Sequence, residues 1–148
     1  MSTQPAQLIE PSLTLQRRFN ATPAKVFRAW TEPAQFVTWM RPGDAHVASA
    51  EMDVRVGGRY SIVYRKPDGK ELEVNGEYLE VVPERKLVFT WIWRYSPDHE
   101  TRVTLLFEPD GDGTWLTLTH ERLEGEAQCE DHRRGWSDGL DSLERYVA

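Results

Sequence analysis

Hydrophobic and polar positions separate most cleanly in the last stretch of the chain, Glu126 to Val147. At 100° per residue, Cys129, His132, Gly135, Trp136, Gly139, Leu140, Leu143, Tyr146 and Val147 fall within an arc of about 140°, and the charged residues collect opposite. The pattern predicts one amphipathic helix about 33 Å long, with Glu130 and Arg134, and Asp141 and Arg145, spaced as i,i+4 ion pairs. Gly135 and Gly139 on the inner arc each cost about 1 kcal/mol relative to alanine. Either a sheet packs closely against them, or space is left beneath the helix with Trp136 and Leu140 as one wall.

Upstream, from Val47 to Arg122, the period is two and turn signals recur about every ten residues, which predicts an antiparallel meander. One strand is expected from about Val47 to Val56, ending at Gly57-Gly58. The next sets Tyr60, Ile62 and Tyr64 on one face. Glu71 to Val82 reads as a long strand with a bulge near Gly76, and its alternation does not decide which face is inner. Leu87, Phe89, Trp91 and Trp93 share a face taken as inner, as do Val103, Leu105 and Phe107, and then Leu116, Leu118 and His120.

Before the meander, Leu13, Leu15 and Phe19 mark a first strand. Thr22-Pro23 starts a helix, with Thr22 as N-cap and Pro23 where a missing N–H costs nothing. A second short helix carries Phe36, Val37, Trp39 and Met40 as far as Arg41-Pro42-Gly43. Helical crossovers are absent between successive strands, so a parallel α/β sheet is excluded. The expected fold is α+β: a curved antiparallel sheet gripping a long C-terminal helix, with two short helices after the first strand. Residues 1–11, polar and bearing two prolines, are expected to be a flexible tail, and residues 12–148 a single domain.

Composition narrows the function. Formal net charge is −6, which gives no electrostatic footprint for nucleic acid. No apolar run is long enough for membrane insertion, and no secretory leader is evident. The single cysteine, Cys129, rules out an internal disulfide and fits a cytoplasmic setting. Six Trp, five Tyr and five Phe are the unusual feature, and Trp91, Trp93 and Trp136 among them read either as core or as a platform for a ligand.

The segments Ala21 to Pro33 with Trp39, Asp53 to Tyr60, Gly76 to Pro83, Leu87 to Trp91, Gly113 to His120, and Gly135-Trp136 with Leu140 and Leu143 together resemble a known family. They are similar to homologues of the activator of the ninety-kilodalton heat-shock protein ATPase (AHSA type), within the START-like (SRPBCC) helix-grip superfamily. The resemblance implies a cavity between helix and sheet for an apolar guest. It also brings cyclases, hydrolases and co-chaperones into view as relatives, although the additional N-terminal domain of the eukaryotic co-chaperones has no counterpart here.

A cavity of that kind would draw on Phe36, Trp39 and Met40 at its mouth. Tyr60, Ile62, Tyr64 and Tyr78 would supply one wall, and Phe89, Trp91 and Trp93 another. Leu105, Leu118 and His120 would form the floor, with His132, Trp136, Gly139 and Leu140 above. Phenolic OH groups suit such a site as placed donors, or else reach the rim. His120 and His132 are candidate general acids or bases, or ordinary hydrogen-bonded core histidines, since no carboxylate is spaced to orient them. Cys129 and His132 share a helix face, but two ligands do not close a metal site, so no metal is expected. With no phosphate loop, nucleophile elbow or dinucleotide fingerprint, no cofactor is expected either. The favoured reading is a protein that binds a small apolar or aromatic molecule. The alternatives are an enzyme of cyclase or hydrolase type using the same cavity, and an interaction module, either a co-chaperone or a homodimer using the Trp115 face.

Overall fold

A computed structural model describes residues 11–148. The expected tail therefore lies outside the described residues except for Pro11, whose carbonyl accepts a hydrogen bond from Leu123 N–H at 3.0 Å. The elements run β1 (Leu13–Phe19), α1 (Pro23–Thr31), α2 (Pro33–Trp39), β2 (His46–Met52), β3 (Arg59–Arg65), β4 (Glu71–Val82), β5 (Lys86–Trp93), β6 (Thr101–Asp110), β7 (Gly113–Glu121) and α3 (Glu126–Val147). All seven strands join one sheet in the order β1-β7-β6-β5-β4-β3-β2, and every pairing is antiparallel. The sheet curls into a half-barrel around α3, which is the expected helix-grip α+β fold.

Local chemistry explains the helix starts. Thr22 accepts the Lys25 N–H at 3.3 Å and Pro23 opens α1, so the cap sits where the sequence places it. In α2, Pro33 again opens the helix, and Trp39 donates its indole N–H back to the Ala29 carbonyl at 2.8 Å, tying the two short helices together. Trp30, Phe36 and Trp39 pack edge to face or tilted, with centroids 4.8 to 6.2 Å apart, and close one end of the half-barrel.

The meander departs from expectation at the end of β2, and two features of β4 are defined by its pairing. β2 ends at Met52 rather than near Val56, because residues 53–58 fold back on themselves: Arg55 N–H bonds the Asp53 carbonyl at 2.9 Å and Gly58 N–H bonds the Arg55 carbonyl at 2.8 Å. Gly57, at φ 85°, permits that turn. The inner face of β4, undecided by alternation, carries Val74, Gly76 and Tyr78, since Tyr64 pairs with Leu72 and Ile62 with Val74. The expected irregularity in β4 falls between Tyr78 and Glu80, just beyond Gly76. Gly76 serves a different need: a Cβ there would lie 2.0 Å from the Thr90 carbonyl oxygen.

α3 crosses the concave face as its apolar arc requires, burying Cys129, Trp136, Gly139, Leu140, Leu143 and Val147. Its ion pairs differ from the i,i+4 expectation. Glu130 and Asp131 pair with Arg133 and Arg134 at i,i+3, while Asp141 turns to Arg17 on β1. An exposed side chain one turn away offers little, whereas Arg17 anchors the helix to the sheet edge.

Candidate functional site

The two inner glycines of α3 separate the two roles that the sequence left open. A Cβ at Gly139 would sit 2.8 Å from Met40 Sδ, so that position is a close contact, made with the residue that ends α2 rather than with the sheet. At Gly135 the nearest neighbour would be Pro42 Cβ at 3.5 Å, and the space beside it is open. Here a cavity of about 230 Å³ opens between α3, β3, β4 and β5.

Its wall is largely aromatic. Tyr64 from β3, Trp91 and Trp93 from β5, and His132 and Trp136 from α3 face it, with Met40, Pro42 and Leu72 completing the apolar lining. Lys66, Tyr95, Gln128 and Asp131 stand around it as well. Beyond Trp91 and Trp136 lies a second space of about 20 Å³ among Trp30, Phe36, Tyr60, Ile62, Tyr78 and Phe89. Trp91 and Trp136 border both spaces, their rings 5.0 Å apart, and so form a partition. Two other depressions are rimmed by charged side chains, one by Arg41, Asp138, Asp141 and Arg145 and the other by Glu71, Glu73 and Arg94.

The expected site residues therefore fall into three groups. Met40, Tyr64, Trp91, Trp93, His132 and Trp136 border the larger cavity, and Phe36, Tyr60, Ile62, Tyr78 and Phe89 border the inner space. Trp39, Leu105, Leu118, His120, Gly139 and Leu140 border neither and are packed in the core. Sequence reasoning did not single out Pro42, Ala45, Lys66, Leu72, Tyr95, Gln128 or Asp131. Most of these lie in loops or on a polar helix face, where no periodicity marks them. Leu72 alone carried a signal, through its alternation with Val74 on β4.

Both histidines are fixed by their neighbours. Trp136 donates its indole N–H to His120 Nδ1 at 3.0 Å, which leaves His120 Nε2–H to donate to Thr101 Oγ1 at 2.8 Å. Thr101 passes its own proton on to the Trp91 carbonyl at 2.7 Å. Likewise Trp93 donates to His132 Nε2 at 3.0 Å, and His132 Nδ1–H bonds the Gln128 carbonyl at 2.8 Å. The two imidazoles meet edge to face with centroids 4.7 Å apart. Burial, and for His120 also the neighbouring His132, push both pKa values below the ordinary histidine range. Each imidazole lone pair is occupied by an indole N–H, so neither ring is free to take a proton from a substrate.

The tyrosines divide. Tyr60 donates to the Thr90 carbonyl at 2.6 Å. Tyr64 is buried at 3% exposure and its OH has no hydrogen-bond partner among the described residues; the same holds for the indole N–H of Trp91 and of Trp30. Burial drives the Tyr64 pKa upward, so its OH stays protonated and able to donate. Among the described residues no three His, Cys, Asp or Glu side chains gather as a ligand set.

The family model described as Activator of Hsp90 ATPase homolog 1-like protein matches residues 20–148. No curated protein sequence matches the chain. Among solved structures, a Chromobacterium violaceum protein superposes with a TM-score of 0.83 at 25% identity, over 92% of this chain and 96% of that one. The AHSA1 protein of Silicibacter pomeroyi gives 0.82 at 26% identity, over 93% and 97%. CalU16 from Micromonospora echinospora gives 0.73 at 26% identity, over 93% and 76%.

Proposed function

This chain belongs to the family of Activator of Hsp90 ATPase homolog 1-like proteins, and from that premise we propose that it is a binding protein for a small apolar or aromatic molecule held between α3 and the sheet. The observation that carries the reading is the cavity beside Gly135, about 230 Å³ in volume and walled by Tyr64, Trp91, Trp93 and Trp136. That volume falls below the usual range of about 300 to 1,000 Å³ for drug-sized ligands and limits the guest to a compound of about two fused rings. A helix that keeps glycine at this position forgoes about 1 kcal/mol of propensity, and the space gained is the return.

A catalytic use of His120 or His132 is disfavoured, since the hydrogen bonds that hold them neutral also occupy their basic nitrogens. A chaperone or self-association surface would fall on the outer face of β6 and β7, where Leu106 and Trp115 are each 37% exposed. The buried free thiol of Cys129 supports a reducing, cytoplasmic setting. Among the described residues no helix is long and apolar enough to cross a membrane.

The test is a panel of two-ring aromatic compounds added to the purified protein, read by tryptophan fluorescence and melting temperature. A true ligand at a hundred times its Kd adds about 2.7 kcal/mol of stability. A panel that leaves both signals unmoved contradicts the reading.

A further inference from the structure

The larger cavity, about 230 Å³, and the inner space, about 20 Å³, have Trp91 and Trp136 in common, and no other described residue borders both. On its own the inner space has room for about one water. Its wall, which includes Phe36, Ile62, Tyr78 and Phe89, is nevertheless aromatic and aliphatic like that of the larger cavity. What separates two stretches of similar lining is therefore a pair of indoles with centroids 5.0 Å apart.

The two indoles are held in different ways. Trp136 donates its N–H to His120 Nδ1 at 3.0 Å, and His120 Nε2 is engaged in turn with Thr101, so a smaller residue at 136 orphans a buried imidazole nitrogen. The Trp91 ring is held by packing, against Trp93 at 5.6 Å, His120 at 5.9 Å, and Tyr60 and Phe89 each at 6.4 Å between centroids. Its indole N–H has no hydrogen-bond partner among the described residues. A smaller side chain at 91 thus breaks no side-chain hydrogen bond. The strand beneath cannot retreat to make room, because β5 is paired along both edges, with β4 and with β6.

We propose that Trp91 determines the length of guest this protein accepts. Its indole closes the inner end of the larger cavity, stops a flat aromatic guest at about two fused rings, and fills the room through which a third ring would extend toward Tyr78 and Phe89. This rests on the binding function proposed above and assigns its size selectivity to one residue. Close-packed walls set such an upper limit sharply, since a guest one ring too long must displace atoms, whereas a shorter one only forfeits contacts.

The experiment titrates quinoline and acridine, two and three linearly fused rings with one ring nitrogen each, at mildly alkaline pH where both are neutral. Affinities for the parent protein and for Trp91→Leu are measured by calorimetry, and intermolecular NOEs locate the bound compound. The parent is expected to bind quinoline, and acridine about tenfold more weakly or worse. Trp91→Leu is expected to gain about tenfold for acridine, with NOEs from acridine to the Tyr78 and Phe89 rings that quinoline in the parent does not show. Should the leucine chain not fold, Trp91→Phe, a smaller truncation, is expected to move acridine affinity in the same direction, and the parent's own preference and NOEs decide independently. Equal affinity of the parent for the two compounds, NOEs from parent-bound quinoline to Tyr78 or Phe89, or no gain for acridine in a folded variant overturns the inference and leaves the binding function standing. Failure of the parent to bind either compound overturns both.

Discussion

Trp136 on α3 donates its indole N–H to Nδ1 of His120 on β7 at 3.0 Å, and this bond joins the gripped helix to the floor of the sheet. Both side chains are buried, at 3% and 0% exposure. Replacing Trp136 by Phe removes the donor, leaves the imidazole lone pair unsatisfied and opens space beside Trp91. The expected loss is about 2 to 4 kcal/mol of unfolding free energy, measured by urea denaturation.

The neutral imidazoles make stability depend on pH in a defined direction. Folding lowers the pKa of His120 and His132, so the unfolded chain binds more protons below the ordinary histidine value of 6.5. Their contribution is fully present above that value and is lost as pH falls below it toward the folded pKa, with a slope of at most about 1.4 kcal/mol per pH unit for each group. His132→Gln can still accept from Trp93 but does not titrate. Melting curves from pH 7.5 down to 5 are expected to show a shallower decline in this variant than in the parent chain.

Tyr64→Phe tests the cost of an unpaired buried hydroxyl. Loss of an unpaired buried OH raises the stability of the empty protein by about 1 kcal/mol, because the desolvation cost disappears and no hydrogen bond is broken. Thermal denaturation of the variant and the parent protein, both without ligand, checks the sign.

Glycine substitutions distinguish close contact from open space. Gly76→Ala would place a methyl 2.0 Å from the Thr90 carbonyl oxygen, and its cost is expected to reach about 3 kcal/mol, since backbone rather than a flexible side chain must yield. Gly135→Ala meets only Pro42 at 3.5 Å and is expected to stabilise by up to about 1 kcal/mol through helix propensity. Equal effects at the two positions in chemical denaturation would contradict the assigned packing.

Much of the fold was legible because period and burial coincide. The alternation through Tyr60, Ile62 and Tyr64, through Val103, Leu105 and Phe107, and through Leu116, Leu118 and His120 marks the inner face of the sheet. The arc through Trp136, Leu140, Leu143 and Val147 marks the buried face of the helix. Where backbone hydrogen bonds override alternation, as after Met52, pattern does not reveal the strand end. The site was less legible. Leu105 and Tyr64 both point inward from their strands, yet only Tyr64 borders the cavity, because that depends on where the curled sheet parts from α3. The split between Gly135 and Gly139 likewise turns on Met40 reaching one glycine and not the other. The capping of both histidines by tryptophans depends on side-chain directions that no spacing encodes.

The most direct measurement of cavity binding is calorimetric titration of a two-ring aromatic compound, methylnaphthalene, into the parent protein and into Gly135→Leu, in which a good helix former projects into the space beside α3. The parent is expected to bind, and the leucine variant to fold with equal or greater stability but bind at least tenfold more weakly. Unchanged affinity in a folded leucine variant would place the ligand elsewhere and contradict a site beneath the helix.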